Sequence, residues 1–215
     1  MRLILASSSP RRRELLALLN IPFDIKRPSF DERLAPDRSA IEQVQDFAQG
    51  KAESIAAKDP NAVVLGSDTL IELDRSVLGK PADLPEARAM LQRLAGRSHL
   101  VHTAVAVLRH NPRCRLVAVS TSEVRMNAYD QRVHEQYLST GESLGKAGAY
   151  SIQGKGSALV DAIHGDFPTV VGLPLRIVAR LLAQAGVTVP IRVEDLYVSM
   201  PYPNWDRFGH TSKDA

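Results

Sequence analysis

The side chains best suited to chemistry in this sequence are arginines gathered at one helix start, two separated lysines and two carboxylates. Ser7-Ser8-Ser9-Pro10 runs straight into Arg11-Arg12-Arg13. Ser9 is placed to cap a helix that begins at Pro10, because proline lacks the N–H that would be orphaned there. Arginines at the positive end of a helix dipole are unfavourable for the helix alone. An anion bound by both the arginines and the free N–H groups explains them, and the phosphates of a nucleotide are the leading candidate. Asp68 follows the apolar run 62–65 and the small pair Gly66-Ser67, which predicts a carboxylate just past the end of a buried strand. That position suits a divalent cation or an attacking water. A turn or helix-cap aspartate is the competing explanation.

The other candidates are ordinary one at a time. Lys80 stands in the constrained turn Gly79-Lys80-Pro81, and Lys51 lies beside the apolar stripe of a helix, where a lysine stem can simply run along the surface. Glu32 sits in the polar loop Asp31-Glu32-Arg33. Gln153, in Ile152-Gln153-Gly154, could read a base through its amide or staple a loop. Taken together they describe a polyphosphate site, with a helix N-terminus, separate cations and carboxylates able to hold a divalent cation. There is no Walker-type loop and no dinucleotide glycine fingerprint. The six histidines have no metal-ligand spacing, and with Cys114 as the lone cysteine this speaks against a zinc site.

The bulk numbers set the frame for these residues. At 215 residues, 44% hydrophobic and 24% charged, the chain reads as a globular protein with a substantial core. A net charge of +3 is compatible with a polyanionic ligand but too small to argue for a nucleic acid polymer. No apolar stretch suggests a membrane span, no charged-apolar-small pattern suggests a signal peptide, and one cysteine allows no internal disulfide, so a cytoplasmic setting is expected.

The elements that must position the site follow from pattern. Residues 2–6 read as a strand, leading into the helix from Pro10 that buries Leu15, Leu16, Leu18 and Leu19, and residues 22–25 as a second strand. Ser39 and Glu42 have capping-box spacing for a long helix with the stripe Ile41, Val44, Phe47 or Ala48, Ala52 and Ile55. Strands at 62–65 and 70–73 flank Asp68, with a hairpin turn at 74–76. Asp83 and Glu86 open another helix with Ala87, Met90, Leu91 and Leu94 inward. Residues 99–108 and 115–126 read as an antiparallel pair, Asp130 caps a short helix, 141–156 is glycine-rich and irregular, and 157–163 is a strand. A last helix follows Gly172-Leu173-Pro174. The predicted fold is α/β, with a mixed sheet flanked by helices. Residues 1–192 form the expected domain, and 193–215, polar and without apolar period, a weakly ordered extension.

The order and wording of these motifs resemble the Maf family of nucleoside triphosphate pyrophosphatases. The resemblance rests on Ala-Ser-Ser-Ser-Pro-Arg-Arg at the start, Glu32, residues 48–52 with Lys51, Gly66-Ser67-Asp68-Thr69 and Gly79-Lys80-Pro81. It continues through Thr103-Ala104-Val105, Lys146-Ala147-Gly148-Ala149-Tyr150, Ile152-Gln153-Gly154 and Val171-Gly172-Leu173-Pro174, to about Val189. It implies two lobes around a central cleft, in a fold similar to that of the inosine triphosphatase and Ham1 proteins. It also implies cleavage between the α and β phosphates with Mg²⁺ or Mn²⁺, a cytoplasmic location and often a homodimer. Carried over, Asp68 matches the proton acceptor, Glu32 an acidic residue near the metal, and Lys51 and Lys80 lysines facing the phosphates. Asp68 and Glu32 are then the implied metal ligands. Ser7, Ser9, Arg11, Arg12, Thr69 and Gln153 are the implied substrate contacts.

Within the family, Arg11, Thr69 and Gln153 match the branch acting on dTTP and UTP. The 7-methyl-GTP branch carries tryptophan, glutamine and glutamate at those places. Ser67, Gly145 and Ser151 depart from the usual alanine, aspartate and glycine. Two alternatives stand beside the dTTP/UTP reading: a pyrophosphatase for other modified nucleotides such as 7-methyl-GTP, and a non-catalytic nucleotide-binding regulator of cell division.

Overall fold

The computed structural model describes residues 1–209. In chain order its elements are β1 (Leu3–Ala6), α1 (Pro10–Ala17), β2 (Asp24–Lys26), α2 (Ala40–Ala56), β3 (Val63–Leu73), β4 (Ser76–Leu78), α3 (Leu84–Leu94), β5 (Ser98–Arg109) and β6 (Cys114–Met126). They continue with α4 (Gln131–Leu138), β7 (Val160–His164), α5 (Phe167–Val171), α6 (Leu175–Gln184), α7 (Val193–Ser199) and α8 (Trp205–Phe208). Short 3₁₀ turns occupy Ala147–Ala149 and Gly154–Leu159. Among these residues no helix is long and apolar enough to cross a membrane.

One seven-stranded sheet runs β2-β1-β3-β5-β6-β7, with β4 paired to β3 off that path. β1 is parallel to β2 and β3, and the remaining pairings are antiparallel, so the sheet is mixed as expected. The all-apolar β1 is explained by burial on both faces. Side chains alternate along a strand, so Leu3 and Leu5 enter one core with Leu65 and Val105, while Ile4 and Ala6 enter a second with Val64 and Ala106. α2 seals the second core through Val44, Ala48, Ala52 and Ile55. Leu15 and Leu16 of α1, Leu91 and Leu94 of α3 and Leu181 of α6 belong to the first.

The capping signals in the sequence act where they stand. Ser9 accepts from the Arg12 N–H, Ser39 and Glu42 form a complete capping box, and Asp83 and Asp130 cap α3 and α4. Some boundaries differ. Ile41 falls on the α2 stripe by angle yet is 43% exposed, so the packed face starts at Ala40 and Val44. The strand predicted at 157–163 begins only at Val160, after a 3₁₀ turn, and α5 has no counterpart in the pattern because its five residues are too short for a helical period.

The C-terminal extension is the largest correction. Of the residues predicted to lack order, 193–209 carry α7 and α8, and Tyr202, Trp205 and Phe208 are buried in the first core; 210–215 lie outside the described residues. The Trp205 ring stacks on Phe167 with centroids 5.7 Å apart, and Tyr197 meets Trp205 edge-on at 5.0 Å. A few large rings bury enough area to dock a segment without any repeating apolar pattern, which is why periodicity misses it.

Candidate active site

β1 ends at Ala6, opposite Gly66, while β3 continues to Leu73 against β5. Asp68 is therefore inside a strand, paired with Ala104, and not on a loop after one. The apolar run stops at Gly66 because β3 loses its parallel neighbour there. From that point one edge of β3 is open, and Ser67, Asp68 and Thr69 can meet groups from α1 and α2.

Two glycines bring α2 and the Glu32 loop into range. A Cβ on Gly66 would lie 2.3 Å from the Ala48 carbonyl oxygen and 2.9 Å from the Ala52 nitrogen, so only glycine lets α2 lie this close on β3. A Cβ on Gly50 would lie 2.1 Å from the Phe30 ring, which packs on Phe47 with centroids 6.0 Å apart. Glycine inside a helix costs about 1 kcal/mol, so a close approach of this kind accounts for it. With Phe30 seated on α2, Glu32 reaches Lys51.

The result is a row of alternating charge. Lys51, 6% exposed, sits 2.7 Å from Asp68 Oδ1 and 2.6 Å from Glu32 Oε1. Glu32 Oε2 is 2.7 Å from Lys80 Nζ, and the Arg12 guanidinium is 3.6 Å from Asp68 Oδ1. The order is Arg12, Asp68, Lys51, Glu32, Lys80. Asp68 Oδ2 is closed off from solvent and has no hydrogen-bond partner among the described residues. Burial opposes ionisation of Glu32, but hydrogen bonds from Lys51 and Lys80 overcome it and hold its carboxyl at about 2, against an ordinary 4.5.

A depressed carboxyl binds fewer protons in the folded state than in the unfolded one. Its contribution to stability is complete above about pH 4.5 and is lost as pH falls toward about 2. In the metal-free protein, Glu32→Gln is expected to flatten the acid limb of the stability curve across that window, measured as urea midpoints against pH. An acid limb parallel to that of the wild type would contradict the ion-pair account.

Arg12 ties the rest of the wall together. It donates through Nε to the Gly172 carbonyl at 2.9 Å and through Nη2 to Thr69 Oγ1 at 3.1 Å. Thr103 donates to the Thr169 carbonyl at 2.7 Å, so Thr69, 2.9 Å away, is left to donate to Thr103. Ser67 also donates to Gly172, at 3.0 Å. Burial lowers the Arg12 pKa, and Asp68 works against that loss. Ser7 Oγ accepts from the Ser9 N–H at 3.1 Å, and Arg11 reaches Ser151 Oγ at 3.3 Å, joining the opening turn to the glycine-rich loop.

A cleft of about 880 Å³ is lined by every residue singled out in the sequence: Ser7, Ser9, Arg11, Arg12, Glu32, Lys51, Asp68, Thr69, Lys80 and Gln153. It is also lined by Arg27, Phe30, Lys146 and Tyr150, which sequence reasoning did not single out as site residues. Burial, with Arg11 next, lowers the Lys146 pKa, so two cations crowd this wall. Its signal was a lysine between Gly145 and Gly148, both at positive φ. Tyr150 is held by its hydroxyl, 2.7 Å from His99 Nε2, and burial drops that histidine to about 4. Among the described residues no group of three or more His, Cys, Asp or Glu could hold a metal.

Comparison with known proteins adds to this geometry. A dTTP/UTP pyrophosphatase of Symbiobacterium thermophilum is 46% identical over 188 residues, covering 87% of this chain and 96% of that protein. Proteins of the same name from Bacillus velezensis and Myxococcus xanthus are 46% and 44% identical, over 86% and 88% of this chain and 97% and 95% of theirs. Among solved structures, the chain is similar to the Staphylococcus aureus Ham1 protein at a TM-score of 0.39 and 14% identity, over 59% of this chain and 72% of that one. That likeness carries no argument about the site. Residues 2–185 match the family described as Maf-like protein, and the chain belongs to that family.

Proposed function

We propose that this chain is a nucleoside triphosphate pyrophosphatase that converts dTTP and UTP to the monophosphate and pyrophosphate. The observation that carries the reading is the row Arg12, Asp68, Lys51, Glu32, Lys80 along one wall of a nucleotide-sized cleft. Relatives named for this activity are 44–46% identical along nearly their whole length.

In the proposed reaction, water attacks the α phosphorus, the bond from that phosphorus to the bridging oxygen breaks, and pyrophosphate leaves. Asp68 takes the proton of the attacking water. Its Oδ1 is committed to Lys51, while Oδ2 is a desolvated acceptor that no protein group satisfies among the described residues. Lys51, Lys80 and Arg12 offset the charge that gathers on the phosphoryl oxygens and on the leaving group. Lys80, about half exposed, can leave Glu32 for a phosphate with little lost burial. The N–H groups at the start of α1 and the hydroxyls of Ser7 and Ser9 face the anionic chain.

The donor set fits Mg²⁺ or Mn²⁺. Two hard carboxylates, Asp68 and Glu32, would hold the cation, and substrate phosphates would complete its oxygen ligands, which is how magnesium is usually held. When bound, the cation supplies charge stabilisation at the phosphate oxygens. On the base side, Arg11, Thr69 and Gln153 support pyrimidines over 7-methylguanine. The intact charged row speaks against a purely regulatory binding protein, which has no use for a desolvated carboxylate flanked by cations. One free cysteine and a nucleotide substrate support the cytoplasm as its place of work.

Incubation with a panel of triphosphates and Mg²⁺ or Mn²⁺, with pyrophosphate separated from orthophosphate, tests this. UTP and dTTP are expected to give equimolar monophosphate and pyrophosphate, with 7-methyl-GTP the poorer substrate by specificity constant. Orthophosphate alone, or no turnover, would overturn the reading.

A further inference from the structure

The family match ends at residue 185, yet the segment beyond it reaches the walls of the cleft. Tyr202 donates to Glu14 Oε2 at 2.9 Å, and Asn204 Nδ2 donates to the Ile152 carbonyl at 2.9 Å. Glu14 lies on α1, one turn past Arg11, and Ile152 immediately precedes Gln153; all four line the cleft. The segment therefore spans the opening helix and the loop opposite. It is firmly seated. Trp205 is 1% exposed against Phe167, and Tyr197 donates to Asp166 Oδ1 at 2.7 Å while Arg176 stacks on its ring at 3.5 Å. Asn204 adopts φ 66°, a left-handed conformation that asparagine tolerates, and this turns its amide toward Ile152.

Tyr202 has one hydroxyl proton, and Glu14 takes it. Toward any other neighbour its oxygen can only accept. Gln153 is such a neighbour: burial and the Glu14 bond push the Tyr202 pKa up, while the Gln153 side chain acts in the opposite direction. Only the Glu14 contact is a full hydrogen bond in the free protein. An amide beside an oxygen that can only accept turns its NH₂ toward that oxygen and its carbonyl away.

We propose that Tyr202 is a positioning residue for the substrate base: it draws the Gln153 NH₂ toward itself and presents the Gln153 carbonyl to the cleft. There the carbonyl accepts from the ring N3–H of uracil or thymine. Cytosine carries a lone pair at that ring position, so the same carbonyl opposes it. The inference rests on the pyrimidine reading above and assigns the segment outside the family match a part in base selection.

The test measures binding of α,β-imido UTP and α,β-imido CTP by calorimetry, which needs no turnover. Wild type is expected to prefer the uracil analogue. Tyr202→Phe, confirmed as folded by thermal unfolding, is expected to lower that preference about five- to tenfold, the order of one hydrogen bond, as the amide becomes free to turn. Loosened packing alone would weaken both analogues together and leave their ratio unchanged. A folded Tyr202→Phe protein that keeps the wild-type ratio within twofold overturns the inference, as does a wild type without preference. If Tyr202→Phe does not fold, Gln153→Leu decides, since a preference retained without the amide also overturns it. Failure to cleave UTP would sink the hydrolase reading while the ratio still judged this one.

Discussion

Asp68→Asn is expected to lower kcat by about 10²–10⁴-fold, the range that a positioned proton acceptor contributes. The substitution keeps shape and removes charge. Asparagine can still accept the Lys51 N–H that now meets Oδ1 at 2.7 Å, and Glu32 remains 2.6 Å from the same ammonium, so the wall keeps its geometry. What disappears is the desolvated anionic oxygen able to take a proton from water. Removing a negative charge beside a bound triphosphate also relieves repulsion, so affinity for α,β-imido UTP is expected to hold or rise. Pyrophosphate release at saturating UTP, together with that affinity, checks both halves. Turnover within tenfold of wild type would remove Asp68 from the role.

The parts of the site legible in the sequence were those where a residue type contradicts its local surroundings. Arg11 to Arg13 stand at the wrong end of a helix dipole for the helix alone, and Asp68 interrupts an apolar run. Both contradictions resolve in the same cleft. The caps were legible because Ser9, Ser39, Asp83 and Asp130 act on N–H groups two or three residues away. The reading weakened wherever the cause lay far along the chain. Asp68 reads as a loop residue because its own neighbours turn polar, yet β5, more than thirty residues later, keeps it in a strand through Ala104. Lys51 reads equally well as a stem lying along the surface. Its burial depends on Gly66, fifteen residues on, admitting α2 to contact. The extension was missed because Tyr202, Trp205 and Phe208 are too few and too irregularly spaced to make a period, although each buries a large ring.

Lys51→Met is expected to be the most damaging change to stability in the site. The ammonium is shielded from solvent and shared by two carboxylates, at 2.6 and 2.7 Å. Its removal leaves Glu32 and Asp68 as like-charged neighbours, each with one remaining cation, Lys80 at 2.7 Å and Arg12 at 3.6 Å. Breaking a buried ion pair costs about 3–5 kcal/mol. With those two cations retained, the lower end applies, about 3 kcal/mol, or a Tm lower by roughly 6–12 °C for a domain of this size. Urea unfolding measures it, and a loss under about 1 kcal/mol would show that the buried charge is not held in the way described. The double variant Lys51→Met/Glu32→Gln separates cause from packing. If mutual repulsion of the carboxylates drives the loss, removing one charge restores part of it, and the two substitutions are non-additive. If the loss comes only from the missing lysine stem, the second substitution adds its own cost. Catalysis is expected to fall as well, by about 10²–10³-fold, because one donor aimed at the developing phosphoryl charge is gone. Methionine preserves the bulk of the stem, so the charge is the variable that both measurements read.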